Sequence, residues 1–283
     1  MTARILDGKK LAAEILDHTR EEVDLFRERT GSVPGLSTVL VGDDPASEVY
    51  VAGKRRKATA AGMADFHQHL PATATESEVA AMLEELAADS RVSGILLQLP
   101  LPGYLDAASL VERIPAHKDV DGLTTASAGL LGRKLPGLRP CTPQGVVELL
   151  DAAAIDVAGR RAVVVGRSML VGAPLAQMLT HRDATVTLAH SRTKDLVGVT
   201  RSADILVAAA GVSGLITAAH VAEGTVVVDV GIHRTPDGLV GDVRFDEARE
   251  RASWITPVPG GVGPLTIAMV LRNTVQAAQY AAD

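Results

Sequence analysis

The sequence predicts an α/β fold of two domains, the second of dinucleotide-binding type, and three observations predict it. Short apolar runs of strand length alternate with amphipathic helical patterns along 283 residues, the arrangement of parallel sheets covered by helices. Aromatic residues make up only 2% against a hydrophobic fraction of 47%, so the cores must be built from Val, Leu, Ile and Ala, which suits buried parallel strands. The third is the stretch Arg161–Leu175. A β-branched run, Val163 to Val165, stops at Gly166, and Gly172 and Pro174 then open a helix carried by Leu175, Met178 and Leu179. Strand, glycine turn and helix start together make a phosphate cradle.

The elements follow in order. Leu11, Ile15, Leu16, Val23 and Phe26 recur at helical spacing, so 9–29 is a helix. Leu36 to Val41 is a strand ending in Gly42-Asp-Asp-Pro45, a helix-start signal for 46–61. A strand over 63–70, a helix over 76–88 and a strand over 92–99 continue the alternation, and 106–114 is a short helix. Residues 123–141 read as an irregular, glycine- and proline-rich boundary, after which Thr142-Pro143 starts a helix. Strands follow at 163–165, 184–189, 204–209 and 225–229, and Thr235-Pro-Asp-Gly reads as a hairpin turn. The loop 257–264 is rigid and glycine-rich, and a final helix over 265–281 is expected to pack back on the first domain. The expected division is therefore 1–140 plus 265–283, and 141–264.

The formal net charge is −6, with Lys+Arg 28 against Asp+Glu 34, and no basic block with interleaved aromatics occurs. Nucleic acid is not an expected partner. No N-terminal signal region or bilayer-length apolar run is found, and a single cysteine, Cys141, allows no internal disulfide. A reducing, cytoplasmic setting with no membrane association is expected.

The cradle departs from the usual Gly-x-Gly-x-x-Gly. Ser168 stands at the second glycine, the last glycine is displaced by one, and Arg167 sits in the turn itself. The neighbouring strand ends in His190-Ser-Arg-Thr193, with no acid until Asp195 to hold a bare ribose. Ser191 and Arg167 therefore favour the 2′-phosphate of NADP over NAD, while Arg192 is as readily a solvated loop cation. Tyr50 and Lys54 lie four residues apart on one helical face, but Lys54 belongs to Lys54-Arg-Arg-Lys57, which by itself also describes a wet surface. A lysine that works near neutral pH must be buried enough to lose roughly 3 pKa units, worth about 4 kcal/mol. Gln98 at a strand end and Asp121 in an Asp-Gly turn are unremarkable alone.

Taken together, eight strings resemble one family across nearly the whole chain: Gly42-Asp-Asp-Pro-Ala-Ser-Glu-Val-Tyr-Val-Ala-Gly-Lys54, Gln98-Leu-Pro-Leu-Pro102, Lys118-Asp-Val-Asp-Gly122, Arg139-Pro-Cys-Thr-Pro143, Val165-Gly-Arg-Ser-Met-Leu-Val-Gly172, His190-Ser-Arg-Thr193, Asp229-Val-Gly-Ile232 and Pro257-Val-Pro-Gly-Gly-Val-Gly-Pro264. The chain resembles the bifunctional methylenetetrahydrofolate dehydrogenase/methenyltetrahydrofolate cyclohydrolase family. The resemblance implies an N-terminal catalytic domain, a Rossmann-type NADP-binding domain and a place in one-carbon metabolism and purine biosynthesis. It implies oxidation of 5,10-methylenetetrahydrofolate by NADP⁺ and hydrolysis of the methenyl product to 10-formyltetrahydrofolate. Lys54 is then the general acid/base, Tyr50 orients the folate, Gln98 holds Lys54, and Asp121 accepts hydrogen bonds from the pterin. Gly166, Arg167, Ser168, Ser191 and Ile232 are implied cofactor contacts. Leu99, Pro259, Gly260 and Gly261 are implied to line the substrate, and no metal is called for. Homodimerisation through the cofactor domain is implied as well. His233 stands where many members carry Asn, and Met169 occupies a variable position. An NADP-dependent two-domain dehydrogenase acting on another small cyclic substrate is the alternative reading, and a cofactor-binding protein without turnover is a third.

Overall fold

The computed structural model describes residues 2–282. The chain forms two compact units, one of Ala13–Cys141 with the residues from Ile267 on, the other of Thr142–Thr266 with Ala12 and the residues before it. In chain order the elements begin with β1 (Arg4–Ile5), α1 (Gly8–Thr30), β2 (Gly35–Val41), α2 (Pro45–Ala60), β3 (Ala64–Asp65), β4 (Gln68–Leu70), α3 (Glu76–Ala88) and β5 (Gly94–Leu97). Then come α4 (Ala107–Val111), α5 (Thr125–Gly132), α6 (Cys141–Ala152), β6 (Arg161–Val165), α7 (Gly172–Thr180), β7 (Thr185–Ala189), α8 (Leu196–Arg201) and β8 (Ile205–Ala208). After a 3-10 turn the chain closes with β9 (Val226–Asp229), β10 (His233–Thr235), β11 (Gly238–Val240), α9 (Phe245–Arg249), β12 (Trp254–Ile255) and α10 (Val262–Ala282).

The first unit is built on β2, buried at every position. β5 pairs in parallel with Leu36–Val39. β3 and β4 share one register, Gly35↔Ala64 and Val39↔Gln68, so they are a single expected strand interrupted at 66–67. Side chains replace the missing ladder there: Ser37 Oγ donates to Phe66 O, and Thr38 Oγ1 pairs with His67 Nδ1. Val39, Val41, Leu83, Ile95, Leu97 and Leu110 make the core under α3 and α4. The region expected to be irregular contains α5, because Thr124 accepts from Ser127 N and caps a helix across the glycines.

The second unit is a six-stranded sheet in the order β1-β12-β9-β8-β6-β7, with every pair parallel. From β6 the chain moves outward to β7 and then reverses to β8, so the topological switch point lies at the end of β6, where ligands collect in such sheets. The expected boundary shifts at the N-terminus: β1 pairs with β12, which draws residues 2–12 into this unit. Two residues on a sheet edge give no periodicity, so the sequence could not announce them. α10 begins at Val262, inside the expected loop, and from Ile267 on belongs to the first unit, as expected of the C-terminal helix.

Candidate active site

Burial singles out Lys54 from the cationic run around it. The buried residues of α2 are Ser47, Val51, Lys54 and Ala58, a stripe at helical spacing. Asp44 accepts from Ser47 N at 2.8 Å and Pro45 follows it, so the helix starts where the stripe's phase requires. Arg55 leaves this face to pair with Asp65 and Arg56 is exposed, whereas Lys54 is only 7% accessible. Its Nζ donates to Gln98 Oε1 at 2.9 Å. Gln98 sits just past β5 with its own amide Nε2 donating to Leu99 O, which fixes the amide so that its oxygen, the group able to accept from an ammonium, faces the lysine. Burial pulls the Lys54 ammonium below the ordinary lysine pKa, and the charge of Asp121 opposes that fall. Tyr50, one turn earlier, is exposed on the same helix.

The string Lys118-Asp-Val-Asp-Gly122 divides its charges by task. Lys118 is buried and donates to Ala87 O and Asp89 O, both at 2.8 Å, closing the C-terminal end of α3. Asp119 is buried and accepts from Leu123 N, Thr124 N and Ser127 Oγ, organising the start of α5. Asp121 is the third charge of the string. Burial pushes its pKa up, Lys54 pulls it down, and Asp119 adds to the rise. The turn is pinned by Gly122, whose φ is +66° and whose absent Cβ would lie 2.5 Å from Pro140 N. Asn273 of α10, fully buried, donates through Nδ2 to Val120 O at 2.8 Å and to Arg139 O at 2.9 Å. One amide therefore ties the Asp121 turn to the Arg139-Pro-Cys141 segment. Cys141 is buried, donates to Val120 O at 3.1 Å, and has its thiol pKa pushed well up by burial. Sequence reasoning missed Asn273, although a polar Asn-Thr pair one residue beyond the apolar run Ile267–Leu271 was the available signal.

In the second unit the cradle is built by close backbone approach. A Cβ on Gly166, where φ is +119°, would sit 1.9 Å from Ala209 O, and one on Gly172 would sit 1.9 Å from Gly166 O. No side chain could stand at either place. α7 starts at Gly172, with Val171 at its N-cap and no side-chain cap; Ala173 N donates back to Ser168 O and Pro174 carries no N–H, so Gly172 N is the first-turn donor left for an anion. Arg167 and Ser168 are exposed beside it, with Ser168 Oγ accepting from Val171 N. Gly166 N donates to Ala189 O, so the exposed Ser191 follows on the adjacent strand end. These residues fit a 2′-phosphorylated dinucleotide: a glycine floor, a helix N-terminus with no side-chain cap, a guanidinium and two hydroxyls. Ile232 is exposed at the end of β9, and Pro259, Gly260 and Gly261 also belong to this unit. Gly260 O accepts from Lys9 N, which anchors that loop to the start of α1.

The chain matches two family models, the tetrahydrofolate dehydrogenase/cyclohydrolase catalytic domain over residues 6–121 and the NAD(P)-binding domain of the same family over residues 140–282. It is 62% identical to the bifunctional protein FolD 2 of Frankia casuarinae over 281 residues, covering 99% of this chain and 98% of that one. It is also similar to the crystal structure of the bifunctional FolD methylenetetrahydrofolate dehydrogenase/cyclohydrolase of Campylobacter jejuni, with a TM-score of 0.96, 44% identity and 99% of each chain covered. The Trypanosoma brucei enzyme, solved with NADP and an inhibitor, gives a TM-score of 0.95 at 38% identity over 100% of this chain and 99% of that one.

Proposed function

The chain belongs to the tetrahydrofolate dehydrogenase/cyclohydrolase family, and on that premise we propose how its own residues divide the work. It is an NADP-dependent methylenetetrahydrofolate dehydrogenase and methenyltetrahydrofolate cyclohydrolase, carrying 5,10-methylenetetrahydrofolate through the methenyl cation to 10-formyltetrahydrofolate. The observation that carries the assignment of roles is the buried Lys54 Nζ–Gln98 Oε1 bond at 2.9 Å beside Asp121.

Gly166, Arg167, Ser168 and Ser191 hold the cofactor phosphates, with Arg167 and Ser191 selecting the 2′-phosphate, and Ile232 bounds the nicotinamide end. NADP⁺ bound there supplies the hydride acceptor. Asp121 accepts from adjacent N–H groups of the pterin, and Tyr50 lays its exposed ring against the folate. Leu99 completes the substrate contacts of the first unit. Lys54, its ammonium already disfavoured by burial, is disfavoured further when the cationic methenyl carbon forms nearby. The neutral amine takes a proton from the water that attacks that carbon and returns it to the ring nitrogen as the C–N bond opens, while the remaining hydroxyl proton leaves to solvent as the formyl C=O forms. Gln98 accepts from Lys54 throughout and fixes where its lone pair points.

The homodimer is supported by the free edge of the second sheet: β7 is outermost, and its Leu188 is 36% exposed. A cytoplasmic setting is supported by the one free, buried cysteine, and a contribution to purine biosynthesis by the formyl product. Absorbance of the methenyl chromophore, with methylenetetrahydrofolate and either NADP⁺ or NAD⁺, tests the cofactor and substrate readings together. NADP⁺-dependent rise and decay is expected. Equal or better use of NAD⁺ removes the Arg167 argument, and no turnover of any reduced folate removes the folate reading.

A further inference from the structure

Asp242 lies in the second unit, outside every motif used above, and its side chain is fully buried. A buried carboxylate persists only when its lone pairs are filled. Here Oδ2 accepts from Ala210 N at 2.7 Å and Gly211 N at 2.9 Å, the first turn after β8. Oδ1 pairs with His233 Nε2 at 2.7 Å. The same carboxyl lies flat on Gly231, where a Cβ would meet Oδ1 at 2.2 Å. Asp242 is itself fixed from below, since Asp229 accepts from Asp242 N, Gly231 N and Val243 N. One carboxylate thus joins the loop after β8 to the turn after β9 that presents Ile232, and His233 holds its second oxygen.

The strand order says which half of the cofactor this junction serves. β7, with Ser191 beyond it, lies on one side of the β6 cradle, and β8 and β9 lie on the other. A dinucleotide whose 2′-phosphate is held at β7 and whose pyrophosphate crosses β6 must run its nicotinamide over β8 and β9. We infer that Asp242, oriented by His233, is a positioning residue for the nicotinamide half of the site, and that His233 is this chain's means of fixing it. The inference rests on the NADP-binding reading and adds to it a residue that touches neither ligand.

Removing the His233 donor should let both loops relax, and misalignment of hydride donor and acceptor by about 1 Å costs on the order of 100-fold in rate. The test uses the full chain with His233→Leu, His233→Asn and Asp242→Asn. It reads dehydrogenase kcat, KM for NADP⁺, affinity for 2′-phospho-ADP-ribose (the cofactor without nicotinamide) and hydrolysis of added methenyltetrahydrofolate. His233→Leu is expected to lower dehydrogenase kcat roughly 10-fold or more, while His233→Asn, which retains an N–H donor, recovers most of it. Hydrolysis and fragment affinity are expected to hold within about 2-fold, since neither uses the nicotinamide half. Equal rates for Leu and Asn variants, or fragment affinity falling in step with kcat, overturns the inference. Asp242→Asn must reproduce the same split if it folds, and soluble, folded Asp242→Asn with wild-type kcat also overturns it. A wild-type chain that neither binds the fragment nor uses NADP⁺ fails the underlying reading instead, visibly and before any variant is compared.

Discussion

Replacing Asn273 by Leu removes the amide that ties the Asp121 turn to the Arg139-Pro-Cys141 segment, and its cost follows from the partners. Nδ2 donates to Val120 O and to Arg139 O. Val120 O keeps the weak Cys141 Sγ donor at 3.1 Å, so chiefly Arg139 O is stranded, at about 1–3 kcal/mol for a buried unpaired group. The lost bond itself adds about 1 kcal/mol. Against this, Asn273 Oδ1 is buried with no hydrogen-bond partner, and its removal returns part of the loss. The net expectation is about 1–3 kcal/mol of destabilisation, read from denaturant unfolding at constant m. The turn bearing Asp121 loosens with it, so KM for the folate should rise more than KM for NADP⁺. Stability unchanged within about 0.5 kcal/mol together with an unchanged folate KM refutes the tie.

Three further outcomes follow from the same structure. Arg167→Gln should raise KM for NADP⁺ roughly 10- to 100-fold, the worth of a charge-assisted hydrogen bond, with little change for NAD⁺; a parallel rise for both cofactors contradicts selection of the 2′-phosphate. Gly172→Ala, which drives a Cβ into Gly166 O at 1.9 Å, should abolish NADP⁺ binding on titration, and near-normal affinity would mean that the cradle is looser than described. Burial raises the Asp229 pKa to about 6 against three backbone donors. Its contribution to stability is therefore complete below the unfolded carboxylate pKa and is lost as pH rises through about 6. Lowering pH from about 7 to 5 should accordingly stabilise the wild type relative to Asp229→Asn by about 1 kcal/mol, measured by denaturant unfolding; the opposite trend means that the three N–H donors outweigh burial.

The sequence made the cofactor sheet legible because its buried strands are short apolar runs with glycine at or soon after their ends, and β6, β8 and β9 are each buried at nearly every position. The candidate site was legible as residue types in order, but the burial of Lys54 was not. Nothing in Lys54-Arg-Arg-Lys57 distinguishes the first cation until the phase of Ser47, Val51 and Ala58 is known. Structure outside the periodic signals stayed hidden for physical reasons. β1 is two residues long and owes its pairing to β12, some 250 positions away. α5 survives two glycines on the strength of its Thr124 cap. Asn273 and Asp242 act through backbone groups far along the chain, which no local pattern encodes.

The central claim is that one buried lysine runs the hydrolytic half while hydride transfer rests on alignment. Lys54→Met tests it most directly, with both reactions followed on the same preparation. Hydrolysis of methenyltetrahydrofolate is expected to fall by about 10²–10⁴-fold, the usual worth of a positioned acid/base, while NADP⁺-dependent formation of the methenyl chromophore persists in part. Hydrolysis at the wild-type rate in a folded Lys54→Met chain would contradict the account.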